Sequence, residues 1–382
     1  MARRPFPWKA LLLAGGGALT AALIGGYLYA MREVVHAYYA STYAPEPLTG
    51  KDLGEPPAAH RLTDVPWLSE TVALGPSISL RMLAAQQGRP APRPAIDFFM
   101  GSTWGAIGIP GKTGFFPGQD PEPGLERAAP LLGFTRRYLT TDDREAFLRA
   151  VRTQLARGRA VRVAVDRASL LGERGFLAHS VVLVGYDAQG FEYYEPVCDD
   201  PKRCVPGEKP AGERGLTVGL ERFLMAVEAQ ALAYHYPWTY QLLVLEPSAA
   251  PPPSPAALLE ANGRALIGTA GAGPSTGAQA VRDVARAIER HGDSVVTPEL
   301  LAGVRTAAVV RRDDAQALAA LFPERSELAT TAESLDAAAA AYARAARALE
   351  AKDLVTAVQA LRDAALADLQ AGTSLLPRPD AG

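Results

Sequence analysis

Residues 10–31 carry no charged side chain over 22 positions, and this run limits what the chain can become. As a helix it would be roughly 33 Å long, enough for a hydrocarbon core of about 30 Å. Arg3, Arg4 and Lys9 precede it, which favours a cytoplasmic N-terminus. Trp8 at one end and Tyr27 and Tyr29 at the other suit the two interfaces. A cleaved signal peptide would have an apolar run of about 7–15 residues followed by small residues. The run here is longer, and Leu28-Tyr29-Ala30 is a poor cleavage site. The sequence therefore predicts one N-terminal transmembrane helix, a signal anchor in the inner (cytoplasmic) membrane. Residues 1–9 would stay in the cytoplasm and the bulk of the chain would be extracytoplasmic. Ala14, Ala18, Ala22 and Gly26 recur every fourth position, a small-residue stripe through which two such helices can pair into a homo-oligomer. An alanine-rich segment also shows that spacing by chance.

Composition narrows the rest. Hydrophobic residues at 48% and charged residues at 21% exclude a disordered chain. With 39 basic and 41 acidic side chains there is no basic surplus, so no nucleic-acid partner is expected. Two cysteines exclude an all-cysteine zinc site, and the five histidines are scattered without a His-x-x-x-His pair. No metal and no cofactor is predicted.

Residues 32–64, with Pro45, Pro47, Pro56 and Pro57, read as a stalk. A mixed α/β region follows over 65–246. Within it Pro76 to Gln87 and Asp142 to Ala156 read as helices, the second opened by Asp142 and Glu145 at capping-box spacing. Ala160–Asp166, Ser180–Tyr186 and Phe191–Tyr194 read as strands, the last two joined by a turn at 187–190. Thr217 is placed to cap a helix running to Ala229, and Thr239–Leu245 reads as a further strand. Residues 247–255 form a proline-rich linker. Beyond it, 256–372 is rich in Ala, Leu, Arg, Asp and Glu and reads as an all-helical domain, with 373–382 a tail.

The strongest chemical signal is the hairpin from His179 to Glu195-Pro196. A histidine opens one strand and an acid closes its partner. Adjacent strands lie about 5 Å apart, which can bring the carboxylate to the imidazole. A carboxylate orienting a histidine is one half of a nucleophile–base–orienter arrangement. The plainer reading of a histidine before an apolar strand is a structural residue.

Three stretches in order carry a resemblance: Val65-Pro66-Trp67-Leu68-Ser69-Glu70, Leu74-Gly75-Pro76-Ser77, and the His179 hairpin. Together, over about 65–200, they resemble the papain-like cysteine peptidases that cleave double-glycine leader peptides. The layout is also similar to the N-terminal domain of the butirosin biosynthesis protein H (BtrH) family of acyltransferases, and the Arg311-Arg312 to Leu321 stretch weakly resembles the domain that follows there. The resemblance implies an α+β papain-like fold with an antiparallel sheet and a central helix, followed here by the all-α C-terminal domain. It implies a nucleophilic cysteine at a helix N-terminus, where the dipole favours thiolate, a glutamine donating to the oxyanion, and a histidine–acid pair.

The chain departs from that pattern where it matters. Leu74 stands at the cysteine position and Glu70 at the glutamine position, whereas His179 and Glu195 keep the histidine–acid pair. Without a nucleophile only background catalysis remains. Ser77 and Ser79 are nearby hydroxyls without an evident activating base. Cys198, three residues past Glu195, is a second candidate nucleophile, but Cys198 and Cys204 bracket a short loop suited to a disulfide. Asp199 and Asp200 lack further ligands at calcium-loop spacing. Gly111-Lys112-Thr113 fails as a phosphate loop because position 106 is Ala, and Gly101-Ser102-Thr103-Trp104-Gly105 fails as a serine-hydrolase elbow because its centre is Thr103.

The expectation is a degenerate, non-catalytic peptidase or acyltransferase-like domain. Its cleft, with Glu70, Leu74, Ser77, Trp104, His179 and Glu195, would bind a peptide, an acyl-like ligand or a partner protein. An enzyme with a displaced nucleophile and a structural subunit of a membrane assembly are the alternatives.

Overall fold

The computed structural model describes residues 30–71, 75–108, 115–118, 120–198, 206–252, 254–268 and 275–377. All but the last two residues of the expected 10–31 span, with its small-residue stripe, lie outside them. Among the described residues no helix is long and apolar enough to cross a membrane. That finding corrects the expectation: no described helix supplies a single-pass anchor, and the membrane partner, the oligomer through that helix and the inner-membrane localisation lose their support with it. The stalk also differs from expectation. Residues 30–43 form a helix (α1) bearing Arg32, Glu33 and His36. Its Tyr39 and Tyr43 are buried against Tyr138, Tyr236 and Trp238, with ring centroids 4.7 Å apart for Tyr39 and Tyr236. Tyr43 also donates to Asp120 at 2.9 Å. Aromatic burial therefore holds a segment that shows little periodicity of its own.

The molecule is α+β with a mixed sheet, where an antiparallel one was expected. Short strands β1 (Glu46–Pro47), β2 (His60–Arg61) and β3 (Trp67–Ser69) lead into helices α2 (Gly75–Gln86) and α3 (Arg93–Met100). The hairpin β4 (Ala106–Gly108) and β5 (Phe115–Pro117) precedes α4 (Pro121–Leu131), β6 (Phe134–Thr141) and α5 (Arg144–Ala156). Then come β7 (Val161–Asp166), the short α6 (Arg167–Leu171), β8 (Ala178–Tyr186), β9 (Gly190–Tyr194), β10 (Gly207–Lys209), β11 (Leu216–Gly219), α7 (Leu220–Tyr234) and β12 (Tyr240–Pro247). The main sheet runs β1-β6-β12-β7-β8-β9-β11, with β2 also paired to β8. Its pairs are antiparallel except β1 with β6.

Two local signals shift. Asp143, not Asp142, caps α5, accepting from the amides of Glu145 and Ala146; Asp142 instead holds Thr239 at the start of β12. Thr217 caps nothing: it pairs with Glu192 within β11, and α7 begins three residues later.

The C-terminal part comprises α8 (Pro255–Ile267), the two-residue β13 (Ser275–Thr276), α9 (Gly277–His291), α10 (Pro298–Leu321), α11 (Ala329–Glu350) and α12 (Leu354–Leu375). Between α9 and α10 the chain makes a 3-10 turn, Gly292–Val295. This helical part does not stand apart. β13 pairs with β4. Phe98 and Trp104 share a core with Leu258, Leu266, Leu318 and Leu335, and Phe115 lies in the core of α9–α12. At Gly303 in α10 a Cβ would meet the Phe115 carbonyl at 2.4 Å, so glycine is what lets α10 lie on β5.

Candidate functional site

The site is assembled where the N-terminus of α2 meets the start of β8 and the segment after β9. β7 ends in Asp166, which accepts from the amides of Ala168 and Ser169 and caps α6, and also from the amide of Leu177 at 2.8 Å. Burial pushes this carboxyl up, but the donations from Leu177, Ser169 and Ala168 outweigh it and hold it below the usual carboxylate range. The Leu177 anchor fixes the loop that delivers His179. Asp166 is thus a positioning residue that the sequence signalled only as the end of a strand.

His179 Nε2 lies 2.5 Å from Glu195 Oε1, and the two side chains are 8% and 4% exposed. The same carboxylate oxygen accepts from the Val197 amide at 3.0 Å, and Arg167 Nε stands 3.7 Å from the other oxygen. Trp67 donates its indole N–H to the Glu195 carbonyl at 3.0 Å and stacks on Tyr194. A carboxylate accepts, so Nε2 is the protonated nitrogen of the neutral ring, and Nδ1 keeps its lone pair. That nitrogen faces α2. A Cβ built on Gly75 would stand 3.7 Å from Cε1 and 3.8 Å from Nδ1 of His179. Leu74 itself lies outside the described residues. Its chain neighbour Gly75 is therefore the described position that meets the imidazole.

Glu70 reaches the same place by its backbone alone. Its amide donates to Pro196 O at 3.0 Å, and its carbonyl accepts from the Cys198 amide at 2.8 Å. The carboxylate turns to Arg81 at 2.7 Å and Arg93 at 2.6 Å. Arg93 also pairs with Asp97 at 2.8 Å and, from the helical part, Asp313 at 2.6 Å. Asp97 is almost wholly buried, and burial pushes it up to about 6 although Arg93 and a hydrogen bond with Ser77 pull the other way. Sequence reasoning missed this ion network, because a partner 220 residues away leaves no local signal.

Two expected cleft residues sit elsewhere. Ser77 is buried, with its hydroxyl engaged by Asp97. Trp104 is fully buried edge-on to Phe98 in the core shared with the C-terminal helices, so it lines no cleft. Ser79 is fully buried as well. Cys198 is disulfide-bonded, and the chain has one other cysteine, Cys204, which lies outside the described residues. Among the described residues no group of three or more His, Cys, Asp or Glu side chains could hold a metal ion.

Chemically, the arrangement can take or give a proton at His179 Nδ1 and hold the resulting imidazolium against Glu195. The helix N-terminus adds partial positive charge at the same point. No protein-family model matches the sequence, and no curated protein is significantly similar to it.

Proposed function

We propose that residues 65–246 are a papain-like scaffold of the cysteine peptidase and BtrH-like acyltransferase kind. It has lost its nucleophile and binds a peptide, an acyl-like ligand or a partner protein without turning it over. One observation carries the reading. His179, oriented by Glu195 at 2.5 Å, turns Nδ1 toward the first residue of α2, and the residue before that position in sequence is a leucine. In a nucleophile–histidine–acid site, that is where sulfur is required.

Two of the groups that could substitute are otherwise engaged, and the third, Ser79, is fully buried in α2. Ser77 is bonded to Asp97 and Cys198 to another sulfur. A disulfide sulfur offers no thiolate. Glu70, neutralised by Arg81 and Arg93, serves as an anchor for α2 and α3 in place of an oxyanion donor.

The test is turnover of fluorogenic peptides and of peptidyl thioesters by the full chain. Release at the buffer rate, unchanged in His179→Ala, is expected. Release well above background that His179→Ala abolishes would establish an enzyme with a nucleophile elsewhere.

A further inference from the structure

On the far part of the molecule, α9 carries Gln279, Arg282 and Arg286 at i, i+3 and i+7, one face of the helix. α12 packs beside it and contributes Arg362. These four side chains line a concavity of about 420 Å³. Its lining is three guanidiniums and a carboxamide, with no carboxylate. Two acids bonded to these lining side chains are already engaged. Asp283 is bound by Ser275, Arg286 and Gln279, and Glu289 by Arg362 at 2.7 Å. Three cations thus face two carboxylates, and one positive charge is left over. It belongs to Arg282, which makes no hydrogen bond or ion pair with any described residue.

We infer that this concavity binds a phosphate group. Guanidinium forks match the paired oxygens of phosphate, and forks arriving from two helices suit a tetrahedral anion better than a planar carboxylate. A bound phosphate gives Arg282 the anionic partner that it lacks among the described residues. The ligand is either free inorganic phosphate or a phosphomonoester on a small molecule. The site is independent of the His179 reading.

The experiment titrates the full chain with inorganic phosphate and, separately, with glycerol phosphate. Chloride at matched ionic strength is the control, and binding is followed by calorimetry. Saturable binding over the chloride control is expected. It should weaken about tenfold in Arg282→Gln, since one charge-assisted contact is lost, and about a hundredfold in Arg282→Gln/Arg362→Gln. Equal affinity for the two probes means the phosphoryl group alone is read; tighter binding of the ester identifies an organic phosphate. Arg282 holds nothing else in place, so the single variant should keep the unliganded melting temperature, which separates lost binding from lost folding. No saturable binding of either probe, or binding that Arg282→Gln leaves unchanged, overturns the inference.

Discussion

Arg311 has no solvent contact, and its guanidinium is surrounded by acceptors. It donates to the carbonyls of Thr103 and Gly105 and to Asp368, with Asp314 at 3.4 Å. Tyr342 donates to Asp368 and Thr103 to Asp314, which closes the network. Removing one partner of such a group strands the rest without water. Arg311→Ala should cost about 3–5 kcal/mol, read as a fall in the urea midpoint, whereas exposed Arg264→Ala should cost under about 1 kcal/mol. Asp314 of this network and Asp97 of the Arg93 network together make a pH prediction. Burial pushes Asp314 up to about 7 despite Arg311 and Thr103, and Asp97 up to about 6. Both values lie above the unfolded carboxyl. The stability these groups contribute is therefore fully present below about pH 4 and lost as pH rises through 6 and 7. The urea midpoint should fall between pH 5 and pH 8, and Asp314→Asn, which cannot ionise, should reduce that slope. Equal slopes in variant and parent would contradict the assignment.

Among elements, the helices and strands built on regular apolar spacing were legible: α2, α5 and the β7–β8–β9 meander lie within a few residues of where periodicity puts them. What escaped depends on distant partners. Asp142 and Asp143 are both good caps, and only the approach of Thr239 decides which one turns to the helix. Asp143→Ala should therefore cost about 1 kcal/mol by thermal denaturation, with Asp142→Ala sparing α5 itself. Thr217 looks like a cap until β9 is present to pair with it. The histidine–acid pair was readable because both residues close one hairpin. The arginine anchoring of Glu70 was not, because Arg81 and Arg93 come from two helices further along the chain. Cys198 sits beside the acid's segment, so reduction of its disulfide should loosen that segment. If Cys204 is its partner, closing so short a loop stabilises by about 2 kcal/mol. Proteolysis of 196–206 should be faster under reducing conditions.

Across the whole molecule, contacts join the part before the proline-rich stretch at 247–255 to the helices after it. Gly101 ends α3 with φ 63° and a Cβ there would meet Asn262 Oδ1 at 2.5 Å, so α8 lies directly against that turn. Trp104 and Phe98 bury themselves in the helices, and Asp313 reaches the Arg93 hub beside the candidate site. Calorimetry of the full chain should show one cooperative transition. Trp104→Ala should shift that single transition downward by about 3–5 kcal/mol of stability, without splitting it. Two transitions, only one of them moved, would mean the parts fold separately.

The proposed function puts residue 74 at the place of the missing sulfur, next in sequence to the Gly75 that meets the His179 imidazole. Leu74→Cys restores that sulfur, and the rate of iodoacetamide alkylation against pH measures what the site does to a thiol. A thiolate forming well below the ordinary cysteine value of about 8.5 is expected, with the advantage lost when His179→Ala is added. A thiol at position 74 that titrates like a free cysteine, with or without His179, would contradict it.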